Sequence, residues 1–354
     1  MRKFLKLSSL SAATLLGFAT SAAAVPIGSA YVGGLLQTDY ANFSGDKTDV
    51  AVSSGEIRRA KIWIKGDLGE EWSYQLGYDA RRSELDVSWM GYNGFDVAWL
   101  AVGYIDVPGS LGYWEGYAYN TFMEYASPVQ AFNPGRGLGI YADAEAAEGL
   151  FSYQLAAYVP DIREGSSADD IIDGVKYASL GNDSDNWGFA GRGVVKPELG
   201  LGDILHFGAS VHYEGISSTT DVNPLVTTPG ALGRTTATRT NILVSTVNPD
   251  TGDLKATTTY GIEAAMLWGS FTAQGEYIKA HWDGRSSASD LCFWGAYGQV
   301  SYVLTGEQRA YDSYSATIGG VDGINNAYGA WELALRYAYT DLSDQPNSGY
   351  TADN

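Results

Sequence analysis

Arg59, Lys61 and Lys65 are separated by two and four residues. On an extended strand, where successive side chains alternate between faces, all three project from one side. Trp63 shares that side, and Ile62 and Ile64 take the other. Arg58 breaks the alternation and is expected near the strand's rim, where its direction is less constrained. By the same parity Arg81, Arg192, Lys196 and Arg336 fall on hydrophilic faces, as do the acids Glu263 and Glu276. Fixed charge of this kind either guides ions or keeps a surface wet, and the residues alone leave both open. Bond-making chemistry has less to stand on, because there is no Gly-x-Ser-x-Gly elbow, no Cys–His pairing and no His-Glu-x-x-His segment. His206 and His212 share a face six residues apart, roughly 20 Å by strand rise, too far to hold one metal. They and His281 are expected as wet lumen or rim residues, and the single cysteine, Cys292, as a small strand side chain. No enzyme, cofactor or metal is expected.

The elements that carry these residues are strands. Glu56–Asp67 and Glu71–Arg81 alternate apolar and polar residues on either side of the tight turn DLGE, which makes a hairpin. The same alternation recurs at Phe151–Ala157, Leu205–Tyr213 and Trp331–Tyr339, and about 13 such segments run through the chain. Segments of about 10 residues with a two-residue period mark a transmembrane antiparallel β-barrel, with apolar residues toward lipid. Closure is what lets a sheet sit in lipid without an unpaired edge. Short turns (67–70, 198–203, 267–270) alternate with long polar segments, the longest from about Gly215 to Thr257. Aromatic residues are 13% of the chain, including 25 Tyr and 10 Trp, which suits strands whose ends meet a membrane interface.

The first 24 residues combine a basic start (Arg2, Lys3, Lys6), an apolar core and Ala22–Ala24, the pattern of a cleaved export signal. The remainder, 25–354, is expected as one barrel domain. The formal charge is −19, or −22 once the signal's three cations are removed, which argues against nucleic acid as a partner. A bacterial barrel needs an even strand count. The odd count and the polar ending at Asn354 therefore predict a chain that stops before its closing strands.

Five stretches, EIRRAKIWIKGDLGEEWSYQLGYD (56–79), NTFMEYASPVQAFNPGRGLGI (120–140), GFAGRGVVKPEL (188–199), GAYGQVSYVLTGEQRAY (295–311) and GAWELALRYAYTDLSD (329–344), resemble the phosphate-selective porin O and P family. The last two carry the most specific elements. The resemblance implies a 16-stranded outer-membrane barrel, usually a homotrimer in lipid and lipopolysaccharide, passing small inorganic or organic anions by diffusion. It also implies that the long loop after strand Phe95–Tyr104, about Ile105–Gly137, folds inward and makes the narrowest point.

Members of that family line the pore with cations, because a permeating anion exchanges hydration for fixed positive charge. Arg59, Lys61 and Lys65 are the best candidates here, with Arg81, Arg192, Lys196 and Arg336 behind them. The segment SLGYWEGYAYN (110–120) carries no cation and offers Tyr113, Trp114, Glu115, Tyr117 and Tyr119. Glu115 is expected to repel an anion, with Asp106 and Glu124 flanking the loop. Arg136 is expected to latch the returning loop to a wall carboxylate, and Glu124 to anchor it. A general or cation-preferring porin stays open as a second reading. A surface adhesin or phage receptor, suggested by the Thr-rich 215–257 segment, stays open as a third.

Overall fold

The computed structural model describes residues 27–42, 53–160, 186–200, 202–216, 254–284, 290–324 and 326–341. The export signal, most of the 215–257 segment and the chain after Asp341 lie outside these residues.

The strands in chain order are β1 (Ile27–Asn42), β2 (Ser53–Leu68), β3 (Trp72–Asp79), β4 (Glu84–Leu85), β5 (Ser88–Tyr92) and β6 (Trp99–Asp106). Two short helices follow, α1 (Leu111–Trp114) and α2 (Ser127–Phe132). Then come β7 (Arg136–Ala146), β8 (Phe151–Pro160), β9 (Trp187–Val195), β10 (Glu198–Gly200), β11 (Asp203–Gly215), β12 (Leu254–Trp268) and β13 (Phe271–Gly284). The last are β14 (Leu291–Val303), β15 (Gln308–Asp312), β16 (Thr317–Asp322) and β17 (Glu332–Asp341).

One antiparallel sheet takes in all of these strands but β15 and β16; its path runs β1-β2-β3-β5-β6-β7-β8-β9-β11-β12-β13-β14-β17, with β4 beside β3 and β10 beside β11. The 13 strands of that path match the number of alternating segments in the sequence. Among the described residues β1 and β17 are not paired with each other. The first tight turn needs Gly69 at φ +73°, between β2 and β3. Phe95 lies in the connection ahead of β6, not in a strand, and Arg81 lies in the turn after β3.

The two faces of the sheet are inverted relative to a water-soluble protein. Leu36, Ile62, Leu76, Leu155, Phe207, Ile262 and Leu335 are each half or more exposed, while Ser152, Gln154, Arg192, His206, Glu263 and Gln299 are buried. An apolar outer face and a polar inner one are what a lipid-spanning sheet requires.

The inner face is filled from both rims. The loop between β6 and β7 closes at its root, where Ile105 pairs with Gly137 and Asp106 with Arg136. Inside it, Pro128 in the first turn starts α2, and the chain leaves the helix at Asn133, ahead of Pro134. Val129, Ala131 and Phe132 of α2 pack on Ile278, Trp282 and Phe293 of β13 and β14. Each fully buried apolar side chain there contributes roughly 1.5–3 kcal/mol. Further apolar patches on the inner face lie around Tyr141, Ala156 and Tyr158 and beneath the hairpin at Leu267 and Ile318.

From the short-turn rim comes the hairpin β15–β16, a separate two-stranded sheet between β14 and β17 in the chain. Its strands, 5 and 6 residues long, are too short to span a bilayer. They pack inside instead.

Candidate functional site

A bulge places the basic strand. In the pairing of β1 with β2, Arg59 faces Gln37 and Ile57 faces Thr38, so Arg58 is the extra residue. Arg58 lies 3.7 Å from Glu56, and Arg81 lies 3.6 Å from the other oxygen of the same carboxylate. These two cations are therefore spent on one acid away from the loop.

Arg59, Lys61 and Lys65 continue along the inner face. The Arg59 guanidinium lies 3.8 Å from the ring centre of Tyr117, with the Lys61 ammonium 5.4 Å from the same ring. Gln37 accepts a hydrogen bond from Arg59, and Lys61 pairs with Asp86 at 2.9 Å. Lys65 has no carboxylate partner among the described residues and faces a cleft of about 340 Å³. The wall of this cleft supplies Trp63, Lys65 and Gln75, and the loop supplies Tyr113, Trp114, Tyr117 and Tyr125. Asp86, Asp106 and Arg136 close its far side.

Arg136, expected from the sequence to meet one wall carboxylate, lies between two. Its Nε donates to Asp106 at 2.6 Å and its Nη1 to Asp86. Burial alone would raise the Asp86 carboxyl, but Arg136 and Lys61 together hold it below its ordinary value. Tyr113 hangs from the same root, its one hydroxyl proton within reach of the Gly135 carbonyl at 2.7 Å and of Asp106 at 3.1 Å.

The acids expected to repel an anion are placed otherwise. Glu115 is only 5% exposed, turned away from the cleft, and accepts from Gln274 at 2.8 Å. Burial pushes its carboxyl up to about 8, so near neutral pH it is largely protonated. Glu263 and Glu276 do lie on the inner face, as parity requires, but they are buried beneath the inserted chain. They receive the first free amides of α1: Leu111 N–H donates to Glu263 at 2.8 Å and Gly112 N–H to Glu276 at 2.7 Å. A Cβ at position 112 would stand 2.9 Å from both Glu276 and the Tyr297 hydroxyl, so a side chain there would have to displace them.

Three of the predicted pore cations are structural pins. Arg192 is 2% exposed and pairs with Glu263 at 2.7 Å. It also donates to Gln154 and to the carbonyls of Ser315 and Ala316 in the hairpin. Lys196 is buried too, pairing with Glu145 and donating to Ser313. Arg336 donates to the Glu124 carbonyl at 2.8 Å, with its guanidinium 4.3 Å from the Phe122 ring centre. The contact at Glu124 is made by its backbone carbonyl, which any residue would supply.

Nor are His206 and His212 wet. His206 is sealed between Tyr311 at 2.7 Å and Glu263 at 2.9 Å, and His212 lies against Glu214 at 3.0 Å and stacks on Tyr158. Tyr119 lies outside the cleft, its carbonyl accepting from Arg309 of the hairpin at 3.1 Å. Trp114 and Tyr117 are in the cleft.

Sequence reasoning missed Asp86, Gln274 and Arg309. Asp86 stands in the short connection between β4 and β5, where no alternation marks its direction. Arg309, which grips Glu332 at 2.8 Å, belongs to strands too short to register as spans.

The family model described as "Phosphate-selective porin O and P" matches residues 31–354. Porin O of Pseudomonas aeruginosa is 27% identical over 331 residues, covering 88% of this chain and 73% of that protein. A protein of Caulobacter vibrioides is 28% identical over 295 residues, covering 82% of this chain and 56% of that one. Among solved structures, the outer membrane protein OmpT of Vibrio cholerae covers 88% of this chain and 97% of its own, with 9% identity and a TM-score of 0.39.

Proposed function

The chain belongs to the phosphate-selective porin O and P family, and from that premise we propose that it forms a passive outer-membrane channel selecting small anions. The observation that carries the selectivity is the sorting of charge around the loop. Glu115, Glu263 and Glu276 are buried and hydrogen-bonded, and Asp86 and Asp106 are both held by Arg136. With Lys61 paired to Asp86, Arg59 and Lys65 remain beside the cleft, which leaves an excess of positive charge where the passage narrows. An anion entering there exchanges water for fixed cations and hydroxyl donors, whereas among the described residues the carboxylates of the cleft, Asp86 and Asp106, are already paired with cations.

In this reading residues 107–135 set the size limit, and diffusion down a gradient supplies the driving force. The outer face, with its exposed Leu, Ile and Phe side chains, meets lipid and lipopolysaccharide, and a homotrimer is the assembly that the family resemblance implies. The zero-current potential in a planar bilayer under a salt gradient tests the selectivity. A chloride-preferring sign is expected. A potassium-preferring sign overturns the anion reading and leaves the general or cation-preferring porin. The adhesin reading rested on a segment mostly outside the described residues, and nothing observed favours it.

A further inference from the structure

We propose that the cleft between β2–β3 and the loop is a recognition site for small aromatic carboxylates of the benzoate class, in preference to phosphate. The inference rests on the anion-channel reading above and names which anion the passage holds longest.

Flat aromatic surface is the first observation. Trp63 from the wall and Trp114, Tyr117 and Tyr125 from the loop all line the cleft. Its volume of about 340 Å³ suits a one-ring ligand and lies near the small end of ordinary ligand pockets, which begin at about 300 Å³. Rings of this kind stack offset or edge-on against another ring, a contact that phosphate cannot make.

Donor supply is the second. Phosphate is strongly hydrated and carries between one and two charges near neutral pH, so it needs several donors at once to leave water. Most donors around this cleft are already committed. Arg136 is held by Asp86 and Asp106, Lys61 by Asp86, and Tyr113 by Asp106 and the Gly135 carbonyl. Gln75 donates to the Val87 carbonyl at 3.3 Å. Lys65 is left, with Tyr117 lining the same cleft, and Arg59 and Lys61 lie against the Tyr117 ring. One ammonium and one hydroxyl satisfy a single carboxylate. The ligand's ring then gains the apolar wall instead of further hydrogen bonds.

The test uses the purified full chain in detergent micelles and follows tryptophan emission while benzoate, cyclohexanecarboxylate or inorganic phosphate is added. Benzoate is expected to bind about five-fold more tightly than cyclohexanecarboxylate, the size of one aromatic contact, and more tightly than phosphate. Trp114→Leu should weaken benzoate several-fold and leave phosphate unchanged, whereas Lys65→Gln should weaken both. Trp114→Phe, which keeps a ring and the packing, should retain benzoate binding. Phosphate binding tighter than benzoate, or benzoate and cyclohexanecarboxylate binding alike, overturns the proposal. Bilayer currents separate this from the parent reading. Anion-selective current blocked by phosphate and not by benzoate sinks the aromatic site alone, and cation-selective current sinks both.

Discussion

Arg136 and Asp106 are cross-strand partners in the last pair of the β6–β7 ladder, and their side chains meet at 2.6 Å. That one ion pair closes the root of the inserted loop, and Arg136 carries the closure on to Asp86. Replacing Arg136 by Gln leaves Asp106 without its cation and Asp86 with Lys61 alone, a loss on the order of 1–3 kcal/mol. The expected outcome is a looser loop with higher single-channel conductance and weaker anion preference, read in one bilayer experiment. Unchanged conductance and selectivity would show that the pair does not hold the constriction.

Glu115 predicts a pH dependence. Its carboxyl moves from an ordinary value near 4.5 to about 8 on burial, so the folded loop binds a proton that the unfolded chain gives up. Stability of the docked loop is therefore greatest below about 4.5 and is lost as pH rises toward about 8. The slope is about 1.4 kcal/mol per pH unit at most. Hydrogen exchange of the α1 amides, corrected for intrinsic rates, should accelerate across that window in the native chain. In Glu115→Gln, which keeps the acceptor for Gln274, the acceleration should be reduced.

Arg192 ties β9 to the β15–β16 hairpin through two carbonyls while neutralising Glu263. Arg192→Leu should cost about 3–5 kcal/mol, because it strands a buried carboxylate. The hairpin should then become cleavable by protease in the 304–331 segment while the outer strands stay protected. Arg192→Lys keeps the charge and loses the fork, so it should fall between the two.

Lys65 is the cleft cation that no carboxylate neutralises among the described residues. Lys65→Glu changes the local charge by two units without breaking any ion pair, and the anion-to-cation permeability ratio should fall several-fold at low salt. The effect should shrink as ionic strength rises, because the group is exposed and screened. An unchanged ratio at low salt would place the selectivity elsewhere.

The spans were legible because lipid imposes a period. Phe151 to Ala157 alternate in the sequence and alternate again in exposure, so parity alone sorted wall from lumen. Parity could not say which inward-facing groups stay in water. Arg192 and Lys65 look alike in sequence, yet one is sealed beneath the hairpin and the other faces the cleft. Covering depends on where an insertion lands, and that is set by contacts such as Gly112 with Glu276, which lie 164 residues apart. Glu115 was misplaced for the same reason, since its neighbour Gln274 comes from β13. The pairing of Arg136 with Asp106 is less dependent on that placement, because the loop's two roots are adjacent wherever its body lies.

Arg309 has a consequence for engineering. It reaches from the hairpin to the Tyr119 carbonyl of the loop while gripping Glu332 of the wall, so segments entering from opposite rims lock onto one another. Neither can be re-tailored alone. A chimera that receives a relative's loop but keeps its own hairpin loses the fit between them, so exchange of permeation properties between relatives should succeed only when residues 107–135 and 304–331 travel as one cassette.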